Sequence, residues 1–104
     1  MITNDKQSFD FIKHHTEIIS SPLVPELRLH MITENCPMWR MNEKDIEQFG
    51  IDEPYWGFSW PGGHALARFI LDHPQMVHNK SVLDFGTGAG IVAIAACLAG
   101  AQRV

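Results

Sequence analysis

The sequence predicts an α/β fold, on three observations from its C-terminal half. Ser81 to Phe85 is a short apolar run of strand type. Gly86, Gly88 and Gly90 follow at every second position, and Ile91 to Ala99 is then an apolar helix rich in small residues. Strand, glycine-rich turn and helix in that order form the first half of a nucleotide-binding βαβ unit. Glycine enters positive φ freely and leaves no Cβ in the way of a ligand. Residues 52–104 are assigned to the start of this cofactor-binding domain, and 1–51 to a small α+β region before it.

The elements follow in order. Ser8 is placed to cap a first helix, with Phe9, Ile12, Thr16 and Ile19 sharing one face until Ser20-Ser21-Pro22 ends it. Leu27, Leu29 and Met31 alternate with Arg28 and His30, which predicts a strand after Pro25. Asn42 to Phe49 is a short polar helix closed by Gly50, with Glu43, Lys44, Asp45 and Glu47 on a solvated face. Asp52 to Gly63 is rich in aromatics, glycine and proline and is expected to be extended chain and loop. Ala65 to His73 is helical, with Leu66, Phe69 and Ile70 on one face, and Pro74 stops it. Asn79-Lys80 makes the turn into the strand. Gly100 ends the last helix, and Gln102-Arg103-Val104 opens another strand.

Composition narrows the function classes. Hydrophobic content of 45% and charged content of 19% belong to a folded globular chain. A net charge of −4 with no basic run argues against nucleic acid as a partner. The longest nearly unbroken apolar run, Ile91 to Ala99, is too short to cross a membrane. The N-terminus lacks a signal or transit pattern, so the cytoplasm is the expected location, with the mitochondrial matrix as the alternative if a transit peptide is missing. Cys36 and Cys97 are expected to be free thiols. His14 and His15 point to different faces and no histidine pair has i, i+4 spacing, so no metal site is expected. Neither cysteine has an evident base beside it, and no catalytic residue is assigned.

Asp84 carries the chemistry of the glycine loop. A carboxylate on a buried strand is costly without a partner. The run Gly88-Ala89-Gly90-Ile91-Val92-Ala93 also fits the G-x-G-x-x-A form of a dinucleotide fingerprint, which is weak evidence alone. A pyrophosphate would be repelled by Asp84, whereas S-adenosylmethionine carries an ammonium that suits it. The run Asp84-Phe85-Gly86-Thr87-Gly88-Ala89-Gly90 matches the D-x-G-x-G-x-G motif of Rossmann-like S-adenosylmethionine-dependent methyltransferases. The plain structural alternative is a strand–turn–helix corner in which Asp84 caps the turn. Upstream, Trp56, Phe58 and Trp60 either pack one side of an extended segment or wall a cofactor pocket, where an indole face attracts a sulfonium.

The stretch PYWGFSWPGGHALARFILDHP, followed by NKSVLDFGTGAGIVAIAACLAGAQRV, closely resembles the lysine methyltransferases that modify the β-subunit of electron transfer flavoprotein. Methyltransferases of a large-subunit ribosomal protein are similar more distantly. FIKHHTEIISSPLVPELRLHMIT is also similar to the N-terminal region of the first family, more loosely. The resemblance implies the N-terminal portion of a Rossmann-like, seven-stranded fold and S-adenosylmethionine as cofactor. It implies a protein substrate, electron transfer flavoprotein β-subunit or a ribosomal protein. By the same carry-over Asp84, Gly86, Thr87, Gly88 and Gly90 are expected at the cofactor, with Trp60, Pro61, Gly62 and Gly63 flanking the pocket. A ribose-binding acid is expected about 20 residues past the first glycine of such a loop, and Val104 falls short of it. The 104-residue chain alone is therefore expected to be an inactive fragment that binds the cofactor weakly and aggregates.

Overall fold

The computed structural model describes residues 2–104. The first helix, α1, runs Asp5–His15, and its cap is Asn4, whose side chain accepts from the Gln7 N–H at 3.0 Å. The expected cap, Ser8, lies inside the helix, where its hydroxyl donates to the Asn4 carbonyl. The helix also ends earlier than its apolar spacing suggests. Glu17–Ile19 forms strand β1 and pairs antiparallel with β2, Leu29–Met31, in the register Glu17 to Met31 and Ile19 to Leu29. Ile18 and Ile19 are β-branched and fit a pleated ladder better than another helical turn. Phe9 is exposed, and Phe11 instead stacks on His15 and meets Phe49 edge-on.

After β2 the chain makes a 3-10 turn over Pro37–Arg40 and then α2, Glu43–Glu47. Asn42 and Asp45 form a reciprocal capping box: each side chain accepts the other's backbone N–H, at 3.1 and 3.2 Å. A second 3-10 turn, Tyr55–Gly57, leads to α3, Pro61–Asp72. That helix starts four residues before the expected Ala65, because Pro61 is preset for a first helical position. Its buried side is also different: Ala67 and Ile70 are covered, whereas Leu66 and Phe69 face outward. Gly63 and Ala67 are small enough to admit the last helix, α4, Ile91–Leu98.

The expected strand from Ser81 to Phe85 is reduced to one parallel bridge, Ser81 to Arg103, with the Val82 N–H donating to the Arg103 carbonyl at 2.8 Å. The expected strand at Gln102 to Val104 is likewise represented only by the Arg103 side of that bridge. A strand needs a partner along its length, and none lies beside Leu83 and Phe85 among the described residues; they are 87% and 95% exposed.

The main core draws on both expected segments. Val24, Leu27, Leu29 and Met31 pack with Ala67, Ile70, Val77, Ile91, Ala95 and Ala96. A smaller cluster forms around Ile32, Cys36 and Met38. Arg68 ties α3 to the turn before β2, donating to Glu26 at 2.9 Å, to Asp72 at 2.8 Å and to the Leu23 carbonyl at 3.2 Å. The Glu26 carboxyl is held below its ordinary value of 4.5, chiefly by its backbone hydrogen bond; desolvation opposes this, and Arg68 adds a further lowering. A depressed carboxyl stabilises the fold above its unfolded pKa and loses that contribution as pH falls through the folded one. The melting-temperature gap between the native chain and Glu26→Gln should therefore be widest near neutrality and close as pH drops below 4.5. A gap that widens on acidification contradicts this.

Candidate functional site

The glycine loop connects the bridged residue pair to α4. Gly86, Gly88 and Gly90 have φ of 70°, 54° and 80°, the left-handed region that side chains disfavour. The alternation in the sequence is thus a requirement of the backbone path. A Cβ at Gly86 or Gly88 would meet no atom within 4 Å, so that side of the loop is open to a ligand.

Asp84 organises the loop from the strand side. Its Oδ2 accepts the Thr87 hydroxyl at 2.7 Å and the backbone N–H of Ala93 at 3.1 Å. Ala93 is the third residue of α4, whose own N-cap, Gly90, has no side chain to offer. A carboxylate at a helix start satisfies one of the unpaired N–H groups and complements the helix dipole. Asp84 therefore performs the capping expected of the plain structural reading. No hydrogen bond to Oδ1 is recorded among the described residues, so the second oxygen remains available.

Gly88 and Ala89 form part of a cavity of about 310 Å³. Trp56 and Ile94 wall it, and Arg28 and His30 line it from β2 and the residue before it. His30 is fixed by a 2.9 Å hydrogen bond between its Nδ1 and the Thr16 hydroxyl. Sequence reasoning missed Arg28 and His30, which looked like the solvent face of an alternating strand. Nothing local marks them, because only the tertiary fold brings β2 to the loop.

The Trp-Pro-Gly-Gly run divides. Pro61, Gly62 and Gly63 form the first turn of α3, and a Cβ at Gly63 would stand 3.0 Å from Ile91 Cγ2. The start of α3 is thereby pressed against the start of α4. A Cβ at Gly62 would meet no atom within 4 Å. Trp60 is the N-cap of α3 and donates its indole N–H to the Tyr55 carbonyl at 3.1 Å. Its ring lines a second cavity, while Trp56 lines the one at the glycine loop. No cluster of three metal-ligating side chains occurs among the described residues. Cys36 is buried and Cys97 exposed, both as free thiols.

Comparison with known proteins agrees with this corner. The family model described as ribosomal protein L11 methyltransferase (PrmA) matches residues 62–104. The chain is 49% identical over 94 residues to the electron transfer flavoprotein beta subunit lysine methyltransferase of Xenopus laevis, covering 90% of this chain and 37% of that protein. Over nine-tenths of its length the chain is therefore similar to lysine methyltransferases of this family. The human protein of the same name is 44% identical over 95 residues, covering 90% of this chain and 35% of its own length. The Caenorhabditis elegans homolog is 39% identical over 90 residues, covering 86% and 36%. The chain thus spans little more than a third of the curated relatives it matches. Its helices and small sheet fit an N-terminal piece of a methyltransferase. No solved structure matches the chain significantly.

Proposed function

We infer that this chain carries the cofactor-binding start of an S-adenosylmethionine-dependent protein-lysine methyltransferase with a Rossmann-like, seven-stranded fold. The observation that carries the reading is the loop of three left-handed glycines, anchored by Asp84 beside an open cavity. Its residues fit the group: the glycines leave space that a Cβ would occupy, Asp84 supplies a carboxylate on the same loop, and Arg28 supplies a guanidinium on the cavity wall beside Gly88. S-adenosylmethionine, when bound, supplies a methyl group on a sulfonium. Asp84 would hold its ammonium, Arg28 its carboxylate, and the glycine backbone would approach its methionine part. Gly86, Thr87, Gly88 and Gly90 serve by holding the loop's path, and Trp56 by offering an aromatic wall that excludes water. Pro61, Gly62 and Gly63 position the neighbouring helix start.

The proposed substrate is the beta subunit of electron transfer flavoprotein, the protein in the relatives' names, methylated at lysine. The ribosomal protein of the matching family model is the competing substrate. Calorimetry with S-adenosylmethionine, using the full-length protein, tests the cofactor. Mass spectrometry of the two candidate substrates then reads the methyl transfer. Saturable NADH binding that excess S-adenosylhomocysteine leaves unchanged would overturn the reading. Arg28→Gln should weaken S-adenosylmethionine binding by about tenfold, the loss of one charge-assisted contact of ~1.4 kcal/mol. Equal affinity in that variant removes Arg28 from the site.

A further inference from the structure

A second cavity, of about 360 Å³, opens between the 3-10 turn at Pro37–Arg40, the start of α2 and the segment before α3. Four aromatic rings surround it in a continuous arc. Trp39 and Phe58 have centroids 6.0 Å apart, Phe58 and Trp60 6.4 Å, and Tyr55 and Trp60 5.9 Å. All three pairs are tilted, at 48°, 58° and 47°, so the rings surround a volume and do not stack on one another. Trp39, Tyr55 and Trp60 remain 51%, 59% and 52% exposed. Glu43 and Glu53 complete the wall, and no basic side chain lines it. The Glu53 carboxylate lies close enough to the Tyr55 hydroxyl to raise that phenol's pKa. The indole of Trp60 is held by its bond to the Tyr55 carbonyl, and Trp39 by its turn, whose backbone N–H donates to the Cys36 carbonyl at 3.0 Å.

Each part of this arrangement selects for the same ligand. Aromatic faces attract cations through their quadrupole, most effectively a cation that is weakly hydrated. An unmodified ammonium is strongly hydrated and must shed water to reach an aromatic face, whereas each methyl group replaces a hydrated N–H with apolar surface. Two carboxylates give the cavity the opposite charge to its occupant. We propose that the cavity bounded by Trp39, Tyr55, Phe58, Trp60, Glu43 and Glu53 is a binding site for the methylated ammonium of a lysine side chain. The site is separate from the glycine-loop cavity, and the lysine-methyltransferase reading supplies only the origin of its ligand, a lysine already methylated.

The test is a tryptophan-fluorescence titration of the full chain with three probes: N-acetyl-trimethyllysine amide, N-acetyl-lysine amide and N-acetyl-norleucine amide. The trimethyl probe should bind saturably, the lysine probe about tenfold more weakly, and the neutral probe not measurably. Glu43→Gln with Glu53→Gln, which leaves the aromatic rings in place, should lower the trimethyl affinity severalfold. Trp39→Ala should abolish the response. Equal binding of the neutral probe, equal binding of the unmodified lysine, or no loss in the double glutamine variant overturns the proposal, as does absence of binding by all three. None of these readouts uses S-adenosylmethionine or methyl transfer. Failure of the cage therefore leaves the cofactor reading standing, and failure of cofactor binding leaves the cage standing.

Discussion

Replacing Asp84 by alanine should lower both S-adenosylmethionine affinity and thermal stability, whereas Asp84→Asn should lower affinity alone. The reason is the two tasks held by one side chain. Its Oδ2 accepts from Thr87 and from the Ala93 N–H at the start of α4. Asparagine keeps an oxygen acceptor for those donors but carries no charge for an ammonium. Alanine loses both. Loss of a helix-capping acceptor costs about 0.5–2 kcal/mol. For a chain of this size each kcal/mol corresponds to about 4–8 °C in melting temperature. The affinity loss should be about tenfold or more in both variants, the value of a charged hydrogen bond. Calorimetry and thermal melts on the same preparations separate the two effects. Unchanged affinity in both variants leaves Asp84 as a structural cap only.

Gly57→Ala should destabilise the fold by about 1–3 kcal/mol, the usual cost of overpacking a filled interior. Gly57 is buried, and a Cβ there would lie 2.6 Å from Ile32 Cγ1, with Cδ1 closer still. Ile32 is itself buried, and its N–H donates to the Gly57 carbonyl at 2.7 Å, which holds the two backbones together. The side chain has little room to withdraw. Combining Gly57→Ala with Ile32→Ala removes the obstructing atoms. The double variant should therefore be more stable than the sum of the two single losses, a coupling read from chemical denaturation. Strict additivity would show that Ile32 moves aside without cost. Trp56 and Phe58 flank this glycine and belong to different cavities, so the same variant should weaken probe binding at both.

The parts of the fold that were legible in the sequence are those whose cause is local. Asn42, Asp45 and Gly50 spell a capped helix and its stop without any tertiary help. The three alternating glycines permit a left-handed path that other residues disfavour, so the turn and the helix after it could be read directly, whereas the strand before them could not. Strand β1 was not legible, because Thr16 and Ile19 continue the spacing of α1. Only pairing with Leu29–Met31, brought back by an intervening turn, makes Glu17–Ile19 a strand. The start of α3 was hidden for the opposite reason. Gly62 and Gly63 look like helix breakers, yet the missing Cβ of Gly63 is what lets Ile91 approach.

The site was legible to the same degree. Asp84 and the glycines stand together in one segment, and their geometry follows from that segment. Arg28 and His30 stand more than fifty residues earlier, and their polar alternation with Leu29 and Met31 has an ordinary explanation at a solvent face. The separation of Trp56 from Trp60 was equally invisible. An extended segment would send residues of even spacing to one side, but the 3-10 turn at Tyr55–Gly57 breaks that periodicity and sends the two indoles to different cavities.

The loop from Gly86 to Gly90 has one more consequence, which concerns entropy. Its backbone is already committed by Asp84 and Thr87, and by the Gly90 N–H donating to the Thr87 carbonyl at 2.8 Å. Fixing one residue's backbone costs about 1–2 kcal/mol, and glycine, the freest residue, loses the most. In this chain that ordering is completed during folding, by bonds within the protein. A small molecule arriving at the loop then meets a rigid receptor and retains the free energy of each contact as affinity.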